Sequence, residues 1–297
     1  MSEAISLHAI VTPELAGSRL DQAAAQLFPA YSRERLKQWI QEGTLTLDGQ
    51  QAKPKEKVMG GETLNVAVIL EDETIALAED IPLDIIHEDD QLIVLNKPAG
   101  LVVHPGAGNS QGTLMNALLH HEPLLSQLPR AGIVHRLDRD TSGVMVFCRH
   151  KAATSHLGKQ FQARTIDKRY VALVAGVLQQ DRGEIELAMR YAPEIKPRQV
   201  VDAVNGKPAR TLWQVLEHRQ GCTLVSLEPF TGRTHQLRVH LQAIGHPILG
   251  DSLYAPEQWL QASSRLCLHA CELAFDHPAS GQRMHYEAPE NFLSILS

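Results

Sequence analysis

The most informative part of the chain reads Gly132-Ile133-Val134-His135-Arg136-Leu137-Asp138-Arg139-Asp140-Thr141-Ser142-Gly143 and continues directly into Val144-Met145-Val146-Phe147-Cys148. A run of four to five apolar and β-branched residues beside a glycine predicts a buried strand. The polar residues before it then form a loop that leads into the strand. Charged side chains between buried segments are costly unless they are paired. We therefore expect Asp138 and Asp140 to be held against Arg136 and Arg139, in either a structural ion-pair cluster or an active site.

A second polar motif follows about 90 residues later and reads Thr231-Gly232-Arg233-Thr234-His235-Gln236-Leu237-Arg238-Val239-His240. The two motifs, in this order, resemble those of the RluA-type pseudouridine synthases. In that family a His-Arg-Leu-Asp tetrapeptide carries the essential aspartate, which corresponds to Asp138 here. Two long motifs in the family's order are a stronger signal than either motif alone.

The resemblance implies an enzyme that converts uridine in RNA to pseudouridine, with no metal and no redox cofactor. In this reaction the glycosidic C–N bond breaks, the base turns over, and C5 is joined to the ribose. The resemblance assigns catalytic roles to Asp138, Tyr170 and Arg233, and it makes Arg233 the expected closest partner of the Asp138 carboxylate. An aspartate can act as a nucleophile or as a base, and the residues are compatible with both.

The remaining site residues follow from the same two motifs and from the segment around Tyr170. Lys168-Arg169-Tyr170 matches the family's Lys/Arg-x-Tyr pattern, in which the ring packs against the target base. Stacking of a base on an aromatic ring is worth roughly 1–3 kcal/mol and suits a base taken out of its stack. Without the motif, an isolated tyrosine at the start of a strand is more often a core residue. The residues expected to bind the substrate are His135, Arg136, Lys168, His235, Leu237 and Arg238.

The first part of the chain predicts a small α+β unit. Residues 18–28 have apolar positions at helical spacing, and Ser32 is a good N-cap for a second helix that stops at Gly43. A short strand, an Asp48-Gly49 hairpin turn and a strand over residues 63–68 complete the unit, and residues 1–15 are interpreted as a loose lead-in.

This unit resembles an S4 RNA-binding domain. The resemblance implies RNA contacts from basic residues on the second helix and its neighbours. An ordinary solvated helix face is the alternative for these residues. They are Arg19, Arg33, Arg35, Lys37 and Lys55.

The rest of the chain predicts an α+β fold with a mixed, mainly antiparallel sheet, because few strands alternate one-for-one with helices. Strands are expected at 144–148, 170–174, 212–216 and 223–227, and helices at 113–121, 152–162 and 234–243. The acidic residues 71–80 are a plausible linker. We therefore expect an S4-like RNA-binding domain at 16–75 and a pseudouridine synthase catalytic domain at 81–297.

Composition narrows the class of protein further. The chain of 297 residues is 43% hydrophobic and 21% charged, as in ordinary globular proteins. No apolar stretch approaches the roughly 18 residues that span a bilayer, and the N-terminus lacks the pattern of a secretory signal. Its four scattered cysteines and 15 histidines show no disulfide or metal-ligand spacing. We therefore expect a cytoplasmic protein with no membrane contact, no metal and no cofactor.

The net charge of −6 argues against RNA binding if it is taken over the whole chain. The charge is unevenly distributed, however. Residues 16–60 carry seven basic and five acidic side chains, whereas residues 71–80 carry five acidic ones. The overall charge therefore conceals a basic unit beside an acidic connector.

Three functions are compared on these grounds. The preferred one is an RNA pseudouridine synthase, most similar to the RluD-type branch that modifies large-subunit ribosomal RNA, acting as a monomer on RNA or on a pre-ribosomal particle. A retaining glycosidase also uses carboxylates at a glycosidic bond and needs two of them about 5–5.5 Å apart, for which Asp138 and Asp140 are candidates. The third is a non-catalytic S4-type RNA-binding protein.

Overall fold

The computed structural model describes residues 3–70, 77–106, 109, 111–193, 198–290 and 292. The chain divides into two compact units, residues 1–75 and 76–297. Residues 71–76, part of the predicted linker, lie outside the described residues. No helix in the described part is long and apolar enough to cross a membrane; the longest of them has 13 residues.

The first unit is a three-stranded sheet with two helices. Its strand order is β1-β3-β2, with antiparallel pairing throughout. The elements are β1 Glu3–Ile10, α1 Leu20–Leu27, α2 Arg33–Glu42, β2 Leu45–Leu47 and β3 Thr63–Leu70, with a 3-10 helix at Pro13–Leu15.

The interpretation of residues 1–15 as a loose lead-in is wrong, because β1 pairs with β3 along its whole length, from Glu3 opposite Leu70 to Ile10 opposite Thr63. The sequence carried the signal for this strand. Ile5, Leu7 and Ala9 alternate with more exposed neighbours, which is the period-two pattern of a half-buried strand.

The predicted helix α2 is confirmed at both ends. The Ser32 hydroxyl accepts a hydrogen bond from the Arg35 backbone N–H, and the helix ends at Gly43 in the left-handed conformation. Leu36, Trp39 and Ile40 on one face are buried in the core of this unit. The N-cap, the stop and the apolar stripe therefore agree with one another, and the helix was predictable for that reason.

The second unit is built on one large sheet with helices packed around it. Its strands run in the order β4-β5-β6-β13-β7-β12-β11-β8, with β14 paired to β13, and β9 and β10 form a separate hairpin. The elements are β4 Ile85–Glu88, β5 Leu92–Lys97, α3 Leu114–His121, β6 Ser142–Cys148, α4 Lys151–Ala163, β7 Asp167–Ala175, β8 Arg182–Glu186, β9 Met189–Ala192, β10 Arg198–Val201, β11 Arg210–Arg219, β12 Cys222–Pro229, α5 Gln236–Ala243, α6 Glu257–Leu260, β13 Leu268–Asp276 and β14 Arg283–Glu287, with 3-10 helices at Pro123–Gln127 and Pro129–Gly132.

This topology confirms the predicted mixed, mainly antiparallel sheet. All seven residues of β6 are buried, as the apolar run predicted. The pairing of β6 with β13 is parallel, whereas the other described pairings of the sheet are antiparallel. Strand β13 comes near the end of the chain but lies in the middle of the sheet, where it joins β6 to β7. The loop of residues 133–141 and the segment that precedes α5 are thereby brought to one region of the unit.

Gly143 makes the β6–β13 contact possible. It has φ +123°, and a Cβ at this position would lie 2.2 Å from the Ala270 carbonyl oxygen. Glycine is the residue that accepts both this backbone conformation and so close an approach. The close packing of β6 against β13 therefore explains why the first sequence motif ends with a glycine.

We predict that Gly143→Ala lowers the free energy of unfolding by at least about 2 kcal/mol, because both the backbone and the neighbouring strand must shift. Gly158→Ala is the matched control. It lies inside α4 with no atom within 4 Å of the added Cβ, so it should stabilise the protein by about 0.5–1 kcal/mol. Urea unfolding followed by circular dichroism measures both changes. Equal midpoints for the two variants would contradict the packing role of Gly143.

Candidate active site

A cleft of about 420 Å³ opens in the second unit where the two sequence motifs meet. Its size is typical of a small-molecule pocket. All nine residues predicted for the catalytic unit line this cleft, although they come from three separate parts of the chain. They are His135, Arg136, Asp138, Lys168, Tyr170, Arg233, His235, Leu237 and Arg238.

Asp138 is half-buried in the cleft, at the start of a turn in which its carbonyl accepts from the Thr141 backbone N–H at 3.2 Å. Its Oδ2 atom lies 3.9 Å from Arg238 Nη1 and 3.9 Å from His235 Nε2. The expectation that Arg233 is its closest partner is therefore wrong. Arg233 lines the same cleft but donates from Nε to the Pro208 carbonyl oxygen at 3.2 Å.

The expected ion pairs of the first motif are only partly present. Arg139 Nε donates to Asp140 Oδ1 at 3.0 Å, as expected. Arg136 is exposed and forms no ion pair within 4 Å among the described residues. Asp138 is thus turned toward the second motif rather than toward the arginines beside it in the sequence.

Arg238 is held in place by a buried carboxylate. Its Nε and Nη2 atoms donate to the two oxygens of Asp251 at 2.8 and 2.6 Å, and both side chains are almost completely buried. Asp251 also accepts from the backbone N–H groups of Leu253 and Tyr254. Burial opposes the charge on Arg238, but its hydrogen bonds to Asp251 raise its pKa above the ordinary value. A fixed positive charge therefore faces Asp138.

His235 is held by a second chain of hydrogen bonds. Its Nδ1 atom lies 2.8 Å from the Tyr254 hydroxyl, which also accepts from the Gln199 backbone N–H on β10 at 2.9 Å. Burial lowers the pKa of His235, although the charge of Asp138 opposes this, so the ring is neutral at pH 7. If the hydroxyl donates to Nδ1, the ring proton is on Nε2, the atom that faces Asp138.

Tyr170 and Leu237 contribute to the cleft from a strand and a helix. Tyr170 lies on β7, opposite Ala270 of β13, and Leu237 lies on α5. Burial and the nearby charge of Asp138 raise the pKa of the Tyr170 hydroxyl. The phenol therefore keeps its proton at neutral pH and remains a hydrogen-bond donor. Both side chains can hold a flat ring beside Asp138.

His135 is part of the cleft wall. Its Nε2 atom accepts from the Val146 backbone N–H at 3.0 Å, and its ring stacks on Phe161 with centroids 4.9 Å apart. Burial, together with the charge of Lys168, lowers its pKa to about 3. A neutral ring with one nitrogen already engaged by β6 fixes the loop to the strand.

Four cationic side chains lie along the same cleft without an ion-pair partner within 4 Å among the described residues. Three were predicted, and Arg164 at the end of α4 was not. Cations without carboxylate partners beside a cleft are suited to binding phosphate groups. They are Arg136, Arg164, Lys168 and Arg233.

A buried lysine supports the turn that carries Asp138. Lys97, at the end of β5, has no exposed surface, and its Nζ atom donates to the carbonyl oxygens of Pro98, Leu101 and Arg139 at 2.8–2.9 Å. Burial lowers its pKa to about 8, although the charges of Asp140 and Asp138 oppose this. Lys97 is therefore mainly charged at pH 7 and joins two loops beneath the cleft.

In the first unit, three of the basic residues predicted to bind RNA form ion pairs with carboxylates. Arg19 and Arg33 both pair with the buried carboxylate of Asp21, and Lys37 pairs with Glu34 at 3.1 Å. Burial raises the pKa of Asp21, but the two arginines outweigh it and leave the pKa below its ordinary value. These cations are thus oriented by fixed carboxylates.

The other two residues predicted to bind RNA, Arg35 and Lys55, differ in exposure. Lys55 is exposed, and the Arg35 side chain is half-buried on α2. Neither observation tests the predicted contacts with RNA, which remain a prediction for all five residues.

None of the four cysteines is among the described residues that line the cleft. The Cys267 thiol donates a hydrogen bond to the Ser263 hydroxyl, and the Cys271 thiol donates one to the Arg169 carbonyl oxygen. Among the described residues, one group could bring three ligand atoms together, on β13 and β14: Glu272, His285 and Glu287. Glu272 already pairs with Arg169 at 2.8 Å.

Besides Arg164, three residues that support the site were missed from the sequence. Asp251 and Tyr254 follow an apolar Ile248-Leu249 pair in a loop, and Lys97 ends an apolar strand. A charged residue at the end of a buried strand is a weak signal of a buried partner. No spacing in the sequence connects these residues to either motif, because their contacts are formed by the tertiary fold.

Among the described residues that line the cleft, one carboxylate lies beside a fixed guanidinium, and the first unit has the elements predicted for an S4-like domain. Residues 91–243 match the model of the RNA pseudouridylate synthase family, and residues 18–64 match that of the S4 domain. The chain belongs to the RNA pseudouridylate synthase family, and it is an isomerase that acts on RNA.

Relatives cover nearly the whole chain. Ribosomal large subunit pseudouridine synthase D of Nitrosomonas europaea is 49% identical over 94% of this chain and 83% of its own length. The protein of the same name in Pseudomonas aeruginosa is 45% identical over 100% and 97%. The solved structure of human RNA pseudouridylate synthase domain containing 1 has a TM-score of 0.61 and 29% identity, over 77% of this chain and 89% of that one.

We predict that Tyr254→Phe lowers kcat about tenfold, or about 1.4 kcal/mol, with little change in KM. The variant keeps the ring over Arg238 but removes the hydroxyl that fixes the His235 ring. Because burial lowers the pKa of His235, the acid limb that this ring contributes in the wild type should lie below the usual value of 6.5.

Steady-state kinetics across pH on an RNA substrate measure these effects. Tyr191→Phe is the control, since Tyr191 is an exposed tyrosine on β9. If the two variants have the same kcat and the same pH profile, the Tyr254 hydroxyl does not position His235.

We predict that Lys97→Met lowers the free energy of unfolding by about 1–3 kcal/mol. Three carbonyl groups lose their donor, and removal of a buried charge offsets only part of that cost. We expect kcat to fall as well, because the turn next to Asp138 loses its support. Urea unfolding and kinetics measure both effects, with Lys159→Met on the exposed face of α4 as the control. Equal stability of the two variants would contradict the role of Lys97 in supporting the turn that carries Asp138.

Proposed function

We propose that this enzyme isomerises specific uridines in the RNA of the large ribosomal subunit, as free RNA or in a pre-ribosomal particle, and that it acts as a monomer. The proposal for the substrate is supported by relatives named for that activity that match this chain over nearly its full length. A monomer is sufficient for the proposed chemistry, because the nine residues predicted for the catalytic unit meet within one chain.

The observation that carries the proposed chemistry is the position of the Asp138 carboxylate, 3.9 Å from the fixed guanidinium of Arg238. Asp138 supplies the catalytic carboxylate, as nucleophile or as base, and Arg238 orients it. Tyr170 and Leu237 hold the extruded base. The N1–C1′ bond breaks, the base turns over, and a C5–C1′ bond forms. C5 loses its proton and N1 gains one, so the RNA keeps its mass.

RNA binding is divided between the two units in this proposal. The basic residues of the first unit bind RNA away from the target base, with Arg19 and Arg33 oriented by Asp21. Near the cleft, Arg136 and Arg233 bind backbone phosphates. The two predicted domains, at 16–75 and 81–297, perform these roles, and β1 belongs with the first because it completes its sheet.

The geometry does not favour a glycosidase. That reaction needs two carboxylates in one cleft, and Asp138 is the one carboxylate among the described residues that line it. Asp140 pairs with Arg139 instead. A non-catalytic RNA-binding protein is likewise not favoured, since the chain belongs to an enzyme family and retains a carboxylate fixed in its cleft.

Asp138→Asn should reduce isomerisation more than about a thousandfold while leaving RNA affinity within about twofold. Large-subunit ribosomal RNA labelled with tritium at C5 of uridine provides the assay, because each turnover releases tritium to water. Asp140→Asn is the matched control, two residues away and outside the cleft lining. Turnover by Asp138→Asn at the rate of Asp140→Asn would contradict the assignment, and release of free uracil would indicate hydrolysis.

A further inference from the structure

A second cleft of about 300 Å³ adjoins the active-site cleft. Five residues line both clefts, so the two clefts lie next to each other. These shared residues are Arg164, Lys168, Pro229, Phe230 and Thr231. A polymer with one unit in the first cleft can therefore place its next unit in the second.

Phe230 is the aromatic residue at the junction. It is 37% exposed, and Arg210 covers its ring with the guanidinium carbon 4.5 Å from the centroid. Arg210 is itself held by both oxygens of Glu184. The Phe230 backbone N–H donates to the Arg210 carbonyl oxygen at 3.0 Å, and the Arg210 N–H donates to the Thr231 hydroxyl at 3.1 Å. An exposed aromatic ring is thus held in a fixed orientation by its neighbours.

Arg164 and Lys168 place two positive charges at the same junction. Neither has a carboxylate within 4 Å among the described residues, and Arg164 is exposed. Burial lowers the pKa of Lys168, and the charge of Arg164 lowers it further. Two neighbouring cations without an anion repel each other, so a phosphate between them would be stabilised by both.

Carboxylates also line the second cleft. Glu186 and Glu228 are exposed and lie close enough to Arg210 to raise its pKa, whereas Asp167 pairs with Arg283. These carboxylates disfavour a phosphate near Arg210 and Phe230. The charge distribution therefore orients a nucleotide, with its phosphate toward Arg164 and Lys168 and its base toward Phe230.

We propose that the second cleft is a subsite for the RNA nucleotide adjacent to the target uridine, with its base stacked on Phe230 and its linking phosphate between Arg164 and Lys168. The subsite rests on the proposed function in one respect: the target uridine occupies the first cleft. It makes the enzyme sensitive to whether the neighbouring base is present and unstacked, a requirement beyond the identity of the uridine.

The test uses a synthetic RNA heptamer with a single central uridine, and two versions in which the nucleotide on its 5′ or its 3′ side is abasic. Affinities for the full-length protein are measured by fluorescence anisotropy. Phe230→Ala should weaken binding of the intact heptamer about tenfold, and Phe230→Trp should restore it. One abasic heptamer should bind the wild type about tenfold more weakly and should lose no further affinity with Phe230→Ala.

Leu124→Ala, at an exposed leucine outside both clefts, is the control and should leave all affinities unchanged. The proposal is overturned if Phe230→Ala binds the intact heptamer as Leu124→Ala does. It is also overturned if Phe230→Ala weakens binding of the 5′-abasic and the 3′-abasic heptamers by the same factor as it weakens binding of the intact one. Tritium release from ribosomal RNA by the wild type reports separately on the proposed function. A failure of the proposed function can therefore be distinguished from a failure of the proposed subsite.

Discussion

The ion pair between Arg238 and Asp251 is the interaction on which the active site depends. Removing two charges from water is costly unless their geometry is good and their other hydrogen-bonding positions are used. Both conditions are met. Arg238 binds Asp251 through two hydrogen bonds, and the backbone N–H groups of Leu253 and Tyr254 donate two more to the Asp251 carboxylate. The pair fixes a positive charge next to Asp138 and connects α5 to the loop after Leu249.

The start of α5 shows how the site is kept rigid. His235 has φ 56°, a left-handed conformation that costs of order 1–3 kcal/mol for a residue with a side chain. The buried Gln236 amide offsets this cost by accepting from Thr231 and from the Arg233 backbone while donating to Arg210 and Thr211. The strained residue is the one whose ring is aimed at Asp138. The backbone here is therefore constrained by the needs of the site.

The sequence was sufficient where local signals agreed and insufficient where only the tertiary fold creates a contact. Strand β6 and helix α2 were predictable, because an apolar run and a capped, amphipathic pattern each specify one structure. The motifs also placed Asp138 and its neighbours in one cleft. They did not identify its partner, since Arg233 and Arg238 are five residues apart and only the first turn of α5 decides which one faces inward. Asp251, Tyr254 and Lys97 were missed because their contacts link distant segments.

The central position of β13 has a consequence for the order of folding. This strand lies between β6 and β7 and supplies Leu268 to the cleft wall, yet it is separated from β6 by more than a hundred residues of chain. Pairings between such distant segments form slowly, because loop closure must precede them. During synthesis, the two halves of the sheet can be assembled well before they are joined. We therefore expect the cleft to be completed only after β13 has been synthesised and has paired with both β6 and β7.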